Sequence, residues 1–477
     1  MNLKTKFARV GAVATTLALA SLGVAGVADA DDGGYTGPDK EIQASLTIHK
    51  HVGENTDQLD DYTNETPDNL GVGIPGVTFT IQQVGTMVEG NCVAPDLGTP
   101  AGWEAIKDAT VDNVCDIDGV EPVEVVTGED GSIKQELPQG LYKVTETASG
   151  DNLVTQKAVP FLVTLPMPLK GEWIYDVHVY PKNKLGDSDV TKTVADPDKV
   201  VPGATVPWTI TANIPEVALP YTSIVVKDTP ADELADTTKV VKVTVNNTAL
   251  KKDEHYELSD NDLTVTLTDE GLKVVNNIVT GESAEAATLS VEVETTIPED
   301  AQGGEFKNEA EVLLNNKPYT PDGDPETIWG KLDVTKVEKG STNTLAGAKF
   351  AVFEGTCGAA GTDPVATGET GTDGKFTQTL YIGMRNAGST DVVEKTYCLK
   401  ETAAPAGYIL DENGVDFTLK ADDATNFTSK VKFENVKVTG PKLPLTGAGG
   451  TMLLTGIGVA LFATGLGIVV GVRRRNA

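Results

Sequence analysis

"WIYDVHVYPKNK", Trp173 to Lys184, alternates as a half-buried strand does and then meets a proline, a lysine and an asparagine. Successive strand side chains point to opposite faces. Trp173, Tyr175, Val177 and Val179 therefore share an apolar face, and Ile174, Asp176, His178 and Tyr180 share a more polar one. If the phase carries past Pro181, Lys182 points outward and Asn183 points toward the apolar side. A polar turn closing an edge strand is the plain alternative, since proline removes a ladder donor.

The interior of the 477-residue chain repeats this texture. Short Val- and Thr-rich alternating runs are separated by Gly/Pro turns, and helical periodicity is scarce. That predicts an all-β protein of three tandem Ig-like sandwiches. "NKLGDSD" (Asn183 to Asp189) and "PDGDPETIWGK" (Pro321 to Lys331) read as linkers, dividing the chain into 31–186, 187–328 and 329–441. The first and third segments repeat one another: "LTIHK", "GVTFTI", "TGEDGSI" and "LYKVTET" in one, "LDVTK", "GAKFAV", "TGTDGKF" and "TYCLKETAAPAGY" in the other. The middle segment lacks that set.

Both ends address the chain outward. Lys4, Lys6 and Arg9 precede an apolar stretch, Val10 to Val27, and "ADA" (Ala28 to Ala30) fits signal-peptide cleavage after Ala30, so 1–30 is a secretory signal. Ala448 to Val472 is apolar, uncharged and long enough to span a bilayer, with Arg473, Arg474 and Arg475 behind it. "LPLTG" (Leu443, Pro444, Leu445, Thr446, Gly447) directly precedes that span, and 442–477 resembles a cell-wall sorting signal of the LPxTG type. The resemblance implies cleavage by a sortase between Thr446 and Gly447, with Thr446 held as a thioester until an amine attacks. The mature chain 31–446 then carries 32 basic against 69 acidic residues, a net charge of −37. Such a surface argues against nucleic-acid binding, which needs basic patches.

Period-2 phasing also puts charges on the wrong face. Lys50 falls in phase with Leu46 and Ile48, Lys336 with Leu332 and Val334, and Lys192 with Val190 and Val194. Glu146 is in phase with Tyr142 and Val144, Glu401 with Tyr397 and Leu399, and Asp228 with Ile224 and Val226. Asn435 follows Phe433, Asn308 follows Phe306, and Asn183 joins them if the phase holds. Burying an unpaired lysine is costly, and a single one at a strand end can snorkel out. Three sets of lysine, acid and asparagine point instead to chemistry. A buried lysine tends to lose its proton and a buried carboxyl to keep its own. A neutral amine beside an amide polarised by a protonated acid is set for nucleophilic attack. The product is a Lys–Asn isopeptide bond with ammonia expelled, once per domain.

"YCLKETAAPAGY" (Tyr397 to Tyr408) resembles the E-box of Cna B-type domains in the sortase-assembled pilins of Gram-positive bacteria. Trp173, Val177, Val179, Tyr180, Pro181 and Lys182 match that family's pilin motif, W-x3-V-x-V-Y-P-K. The resemblance implies that Lys182 of one subunit resolves the thioester and joins Thr446 of the next, making a covalent shaft that probes host surfaces or other bacteria. Implied partners are sortase, identical subunits, ancillary pilins and peptidoglycan; no cofactor and no enzymatic turnover are implied. It implies the pairs Lys336–Asn435 with Glu401, Lys192–Asn308 with Asp228, and Lys50–Asn183 with Glu146, although "LYKVTET" lacks the "APxGY" tail of the E-box. A wall-anchored monomeric adhesin and an ancillary tip or base pilin are the competing readings.

Four cysteines in an exported chain favour two disulfides with three connectivities, of which Cys92–Cys115 and Cys357–Cys398 is the simplest. Cys92 and Cys115 lie in an insert that reads as loop-rich. His49, His51, His178 and His255 read as incidental. The acidic stretches Asp57 to Asn69 and Asp196 to Lys199 lack an EF-hand pattern and read as solvated loops, so no metal is expected.

Overall fold

The computed structural model describes residues 35–53, 71–259, 261–359, 361–386, 389, 392–421 and 427–440. The readings of 1–30 as a secretory signal and of Asp57 to Asn69 as a solvated loop, like the sorting pentapeptide with Thr446 and the apolar stretch after it, fall outside the described residues. Strands dominate, as the alternation demands. The chain divides into two compact units. One runs to Lys331 and includes Thr379–Lys395 and Lys420–Phe427; the other comprises Leu332–Gln378, Thr396–Leu419 and the residues from Thr428 on.

The first unit opens with a sandwich. Strand Ala44–His49 is central in a three-stranded sheet, parallel to Asp176–Val179 and antiparallel to Ser132–Leu137. The facing sheet contains Phe161–Leu165, Gly140–Ala148, Thr78–Val88 and Val123–Val126. Leu46, Ile48, Phe79, Ile81, Tyr142, Val144 and Val177 fill the space between them, as inward-facing residues of aligned sheets do.

The strand does not end at the proline. Val179 pairs with Ile48, and Lys182 pairs with His51, at one unbroken offset, so Pro181 falls opposite Lys50. His51 N–H donates to Pro181 O (3.1 Å) and Gly53 N–H to Asn183 O (2.9 Å). Proline thus removes one donor from the parallel ladder without shifting its register. Lys182–Leu185 is a strand, which corrects the reading of Asn183 to Asp189 as a linker over its first three residues.

The insert carrying Cys92 is not all loop. It holds a helix, Pro100–Ile106, started by proline in its first turn and by Thr99, whose hydroxyl accepts from Gly102 N–H (3.1 Å). Ile106 and Leu97 pack with Val84 and Leu141 in a small separate core.

From Val190 the same unit builds further sheets, none shared with strands before Gly186 among the described residues. Val190–Val194, Thr205–Ile214, Ala287–Thr296 and Thr238–Val245 form one. Ile224–Pro230 and Gly304–Leu314 pair in the other. An amphipathic helix, Asp269–Val279, is capped by Thr268 and buries Val275 and Val279. Pro321 to Lys331 is likewise only partly a linker: strand Glu326–Glu338 begins inside it, and Ile328 and Trp329 are fully buried.

In the second unit, Lys349–Glu354 pairs with Ala366–Glu369 and with the strand ending at Ala403. Leu332, Val334, Phe350, Val352, Tyr397, Leu399, Phe417 and Phe433 are buried there.

Candidate functional site

Each predicted lysine, acid and asparagine set is brought together and buried. Lys50, immediately after the first strand, is wholly inaccessible, as is Asn183. Lys50 Nζ lies 3.0 Å from Glu146 Oε2 and donates to Asn183 Oδ1 at 2.5 Å. Asn183 Nδ2 donates to Glu146 Oε1 (2.6 Å), closing a triangle. Ala158 N–H adds a donor that alternation could not disclose, 2.8 Å from Asn183 Oδ1.

The second set joins the first strand after Gly186 to Gly304–Leu314. Lys192 Nζ contacts Asp228 Oδ1 (2.5 Å) and Glu309 O (2.7 Å), and Asn308 Nδ2 reaches Asp228 Oδ2 (3.3 Å). Asn308 Oδ1 is buried without a hydrogen-bond partner. In the second unit Lys336 Nζ stands 3.1 Å from Glu401 Oε1, out of line for a hydrogen bond, and 4.3 Å from the centre of the Phe433 ring. Asn435 Nδ2 donates to Glu401 Oε2 (2.8 Å) and Ile409 O (2.9 Å), while Asp411 N–H also reaches Glu401 Oε2 (3.1 Å). Asn435 Oδ1 has no partner either.

The sequence repeat has a structural purpose here. Gly131 of "TGEDG" accepts at its carbonyl from Lys50 N–H (2.8 Å), and Gly374 of "TGTDG" does so from Lys336 N–H (2.8 Å). Both glycines have positive φ (80° and 71°), and a Cβ on Gly131 would come within 2.5 Å of Lys50 O. Only glycine lets the turn press against the lysine backbone in this way.

Burial sets the charge states. It pushes the Lys50 and Lys192 amines down to about 8, against the opposing pull of Glu146 and Asp228. Lys336 is lowered by burial too, with Glu401 opposing. Burial raises the Asp228 carboxyl, and Lys192 limits the rise. A lysine driven toward the neutral amine beside an acid driven toward the neutral carboxyl is what amide attack requires.

The motif around Lys182 is assembled differently. Val177 and Val179 are core residues, Pro181 and Asn183 are buried, and Lys182 is partly exposed on the opposite side from Asn183. Trp173 donates its indole N–H to Thr36 O (3.1 Å) and packs against Trp103 at 5.4 Å. His49 and His178, read as incidental, share a 2.8 Å hydrogen bond on the outer face, and His49 stacks on Tyr180 at 4.9 Å.

Comparison with known proteins supplies the family. The family described as "Gram-positive pilin subunit D1, N-terminal domain" matches residues 41–184. A prealbumin-like fold domain matches 330–437, and the LPXTG cell wall anchor motif matches 435–477. The fimbrial subunit type 2 of Actinomyces naeslundii is 30% identical over 520 residues, covering 95% of this chain and 93% of that one. The chain belongs to the Gram-positive pilin family.

The fimbrial subunit type 1 of Actinomyces viscosus is 29% identical to this pilin over 515 residues, covering 92% of each chain. Among solved structures, the full-length major pilin SpaD from Corynebacterium diphtheriae is 29% identical with a TM-score of 0.46, covering 84% of this pilin and 99% of that chain. The pilin is anchored at the cell wall as a surface fimbrial component. Its disulfides are Cys92–Cys115 and Cys357–Cys398, one of the three connectivities the sequence allows. The second lies beside Asp416, whose Oδ1 accepts from Cys357 N–H (2.6 Å).

Proposed function

We propose that this pilin is the structural shaft subunit of a covalent pilus. Sortase joins Lys182 of one subunit to Thr446 of the next, and each subunit is locked internally by Lys336–Asn435, Lys192–Asn308 and Lys50–Asn183 isopeptide bonds. The protein is a substrate of sortase and not itself a turnover enzyme. The sandwiches 31–186, 187–328 and 329–441 are the mechanical modules, and peptidoglycan receives the last subunit.

The observation that carries the reading is the pairing of residues 182 and 183. One strand delivers Asn183 wholly into the core against Lys50 and leaves Lys182 partly exposed on the other side. Internal closure and external linkage are thereby separated by a single peptide bond. In each internal reaction the neutral lysine Nζ attacks the asparagine carbonyl carbon. The protonated acid polarises the carbonyl, the C–Nδ2 bond breaks, and the nitrogen leaves as ammonia.

The test is an immunoblot of wall-released material boiled in detergent and reductant, from cells with and without their pilin-type sortase. A high-mass ladder that needs the enzyme is the expected result. A single monomer band in both would leave a wall-anchored adhesin.

The internal chemistry has a defined pH signature. The reactive pair, neutral amine with neutral acid, holds the same single proton as the ammonium–carboxylate pair, so its share is constant while one proton is bound. Acid adds a second proton and silences the amine; base removes the last and leaves the carboxylate unable to polarise. Bond formation at Lys192 is therefore expected to be flat through neutrality and to fall above about pH 8, where this amine titrates. Chain recovered unfolded and refolded by dilution across a pH series, with the loss of ammonia timed by mass spectrometry, checks this. A rate that keeps rising through pH 9 would assign no role to the Asp228 proton.

A further inference from the structure

An amine that attacks a thioester must first give up its ammonium proton, and a solvated lysine holds that proton to about pH 10.4. His51 stands on the strand paired with the one that carries that lysine. Lys182 and His51 are partners in the parallel register, and the two strands are tied by backbone hydrogen bonds on either side. The Lys182 stem lies over Gly53: a Cβ there would come 3.1 Å from Lys182 Cδ and 3.8 Å from Cε. The stem thus lies over the same short stretch, His51 to Gly53, that bears the imidazole.

The imidazole is held in one tautomer. His51 Nδ1 is 3.0 Å from Gly71 O. A carbonyl oxygen only accepts, so Nδ1 carries the ring proton and Nε2 keeps its lone pair. Among the described residues, the charged groups acting on the ring are Lys182 from the paired strand, Lys50 next to His51 in sequence, and Asp130 from the turn before Ser132–Leu137. Burial first, then the Lys182 ammonium, push its pKa below the ordinary histidine value, with the Gly71 hydrogen bond and Asp130 opposing; the smaller push from Lys50 ends once that amine is closed onto Asn183. The ring is neutral at pH 7, which is the charge state of a base.

We propose that His51 is the general base of the linking reaction, a role that rests on Lys182 being the linking amine. His51 Nε2 takes one proton from the Lys182 ammonium, and the freed Nζ attacks the thioester carbonyl of Thr446 on the sortase cysteine. The C–N bond forms and the C–S bond breaks. The nitrogen's surplus proton goes to the departing thiolate, restoring the thiol, and the imidazolium returns its proton to water.

The experiment uses the mature full-length pilin, purified sortase and an LPLTG donor peptide, with single-turnover transfer followed across pH and the modified lysine mapped by mass spectrometry. His51→Asn is the variant of choice, because its amide nitrogen can still donate to Gly71 O while no lone pair replaces Nε2. We expect about a 10²–10⁴-fold slower transfer at neutral pH, an unchanged KM for the pilin, loss of the acidic limb of the pH profile, and partial rescue by imidazole in the buffer. Thermal unfolding matching the parent checks that the fold is kept. An unchanged rate, or a slower rate with an unaltered pH profile and no rescue, overturns the base role while leaving Lys182 as the linking amine. Peptide mapped in the parent chain to a lysine other than Lys182 overturns the linkage reading and the base role together.

Discussion

Lys182→Ala is expected to collapse the boiled ladder to monomer, while Lys184→Ala leaves it intact. The comparison is strict, because Lys184 sits two residues along the same strand, on the same face by alternation, and is the more exposed of the two. If accessibility selected the amine, Lys184 would link at least as well. What distinguishes Lys182 is its setting: its stem rests on Gly53 and its strand partner is His51. Loss of a sole nucleophile is all-or-none, so the expected change is complete disappearance of dimers and higher species on a denaturing gel. A ladder persisting in Lys182→Ala, or vanishing in Lys184→Ala, would contradict the assignment.

The second large effect concerns stability and stretch. Glu401→Gln keeps the shape of the acid but cannot lend a proton to Asn435, and the Lys336–Asn435 bond is expected not to form. In the chain-entropy account, a crosslink closing a loop of about 100 residues stabilises by about 4.7 kcal/mol. For a domain of that size the loss lowers Tm by on the order of 20 °C. Calorimetry with intact mass, to verify that one ammonia is retained, measures it directly; a Tm shift of only a degree or two would mean that the bond adds little. Asp228→Asn extends the argument to force. Lys192 and Asn308 are 116 residues apart, and freeing that stretch adds roughly 380–420 Å of contour when the sandwich unfolds under load. Single-molecule pulling reads that step as present in the variant and absent in the parent.

Much of this was written in the alternation. Lys50, Lys192 and Lys336 each fall in phase with core residues, and each is buried where the phase puts it. What period-2 reading cannot see is backbone supplied by neighbouring loops. Ala158 N–H and Ile409 O join two of the clusters from segments with no distinguishing side chain, and Glu309 O joins the third from the strand that carries Asn308 itself. Helix Pro100–Ile106 is seven residues long, too short to impose a visible 3.6-residue repeat, and lies unannounced within the loop-rich insert. Proline at 181 misled in the opposite direction. Its composition says break, yet the parallel register on both sides carries the strand through. The turn-like letters of Pro321 to Lys331 likewise conceal Ile328 and Trp329, which are core residues of a strand.

The adjacency of residues 182 and 183 has a last consequence for how a shaft carries tension. A pull applied through the Lys182 side chain leaves toward Thr446, so everything before Lys182 hangs beside the load line rather than in it. In the proposed shaft the line from Lys182 would follow the backbone to Lys192, cross to Asn308, continue to Lys336, cross to Asn435 and exit. Only the backbone between those points is in series; the rest of both later sandwiches is bypassed in parallel. The proposed Lys50–Asn183 bond would then bear none of the axial strain. It would fasten the residues before Lys182 to the cable as a branch, free to present their surface while the cable is taut.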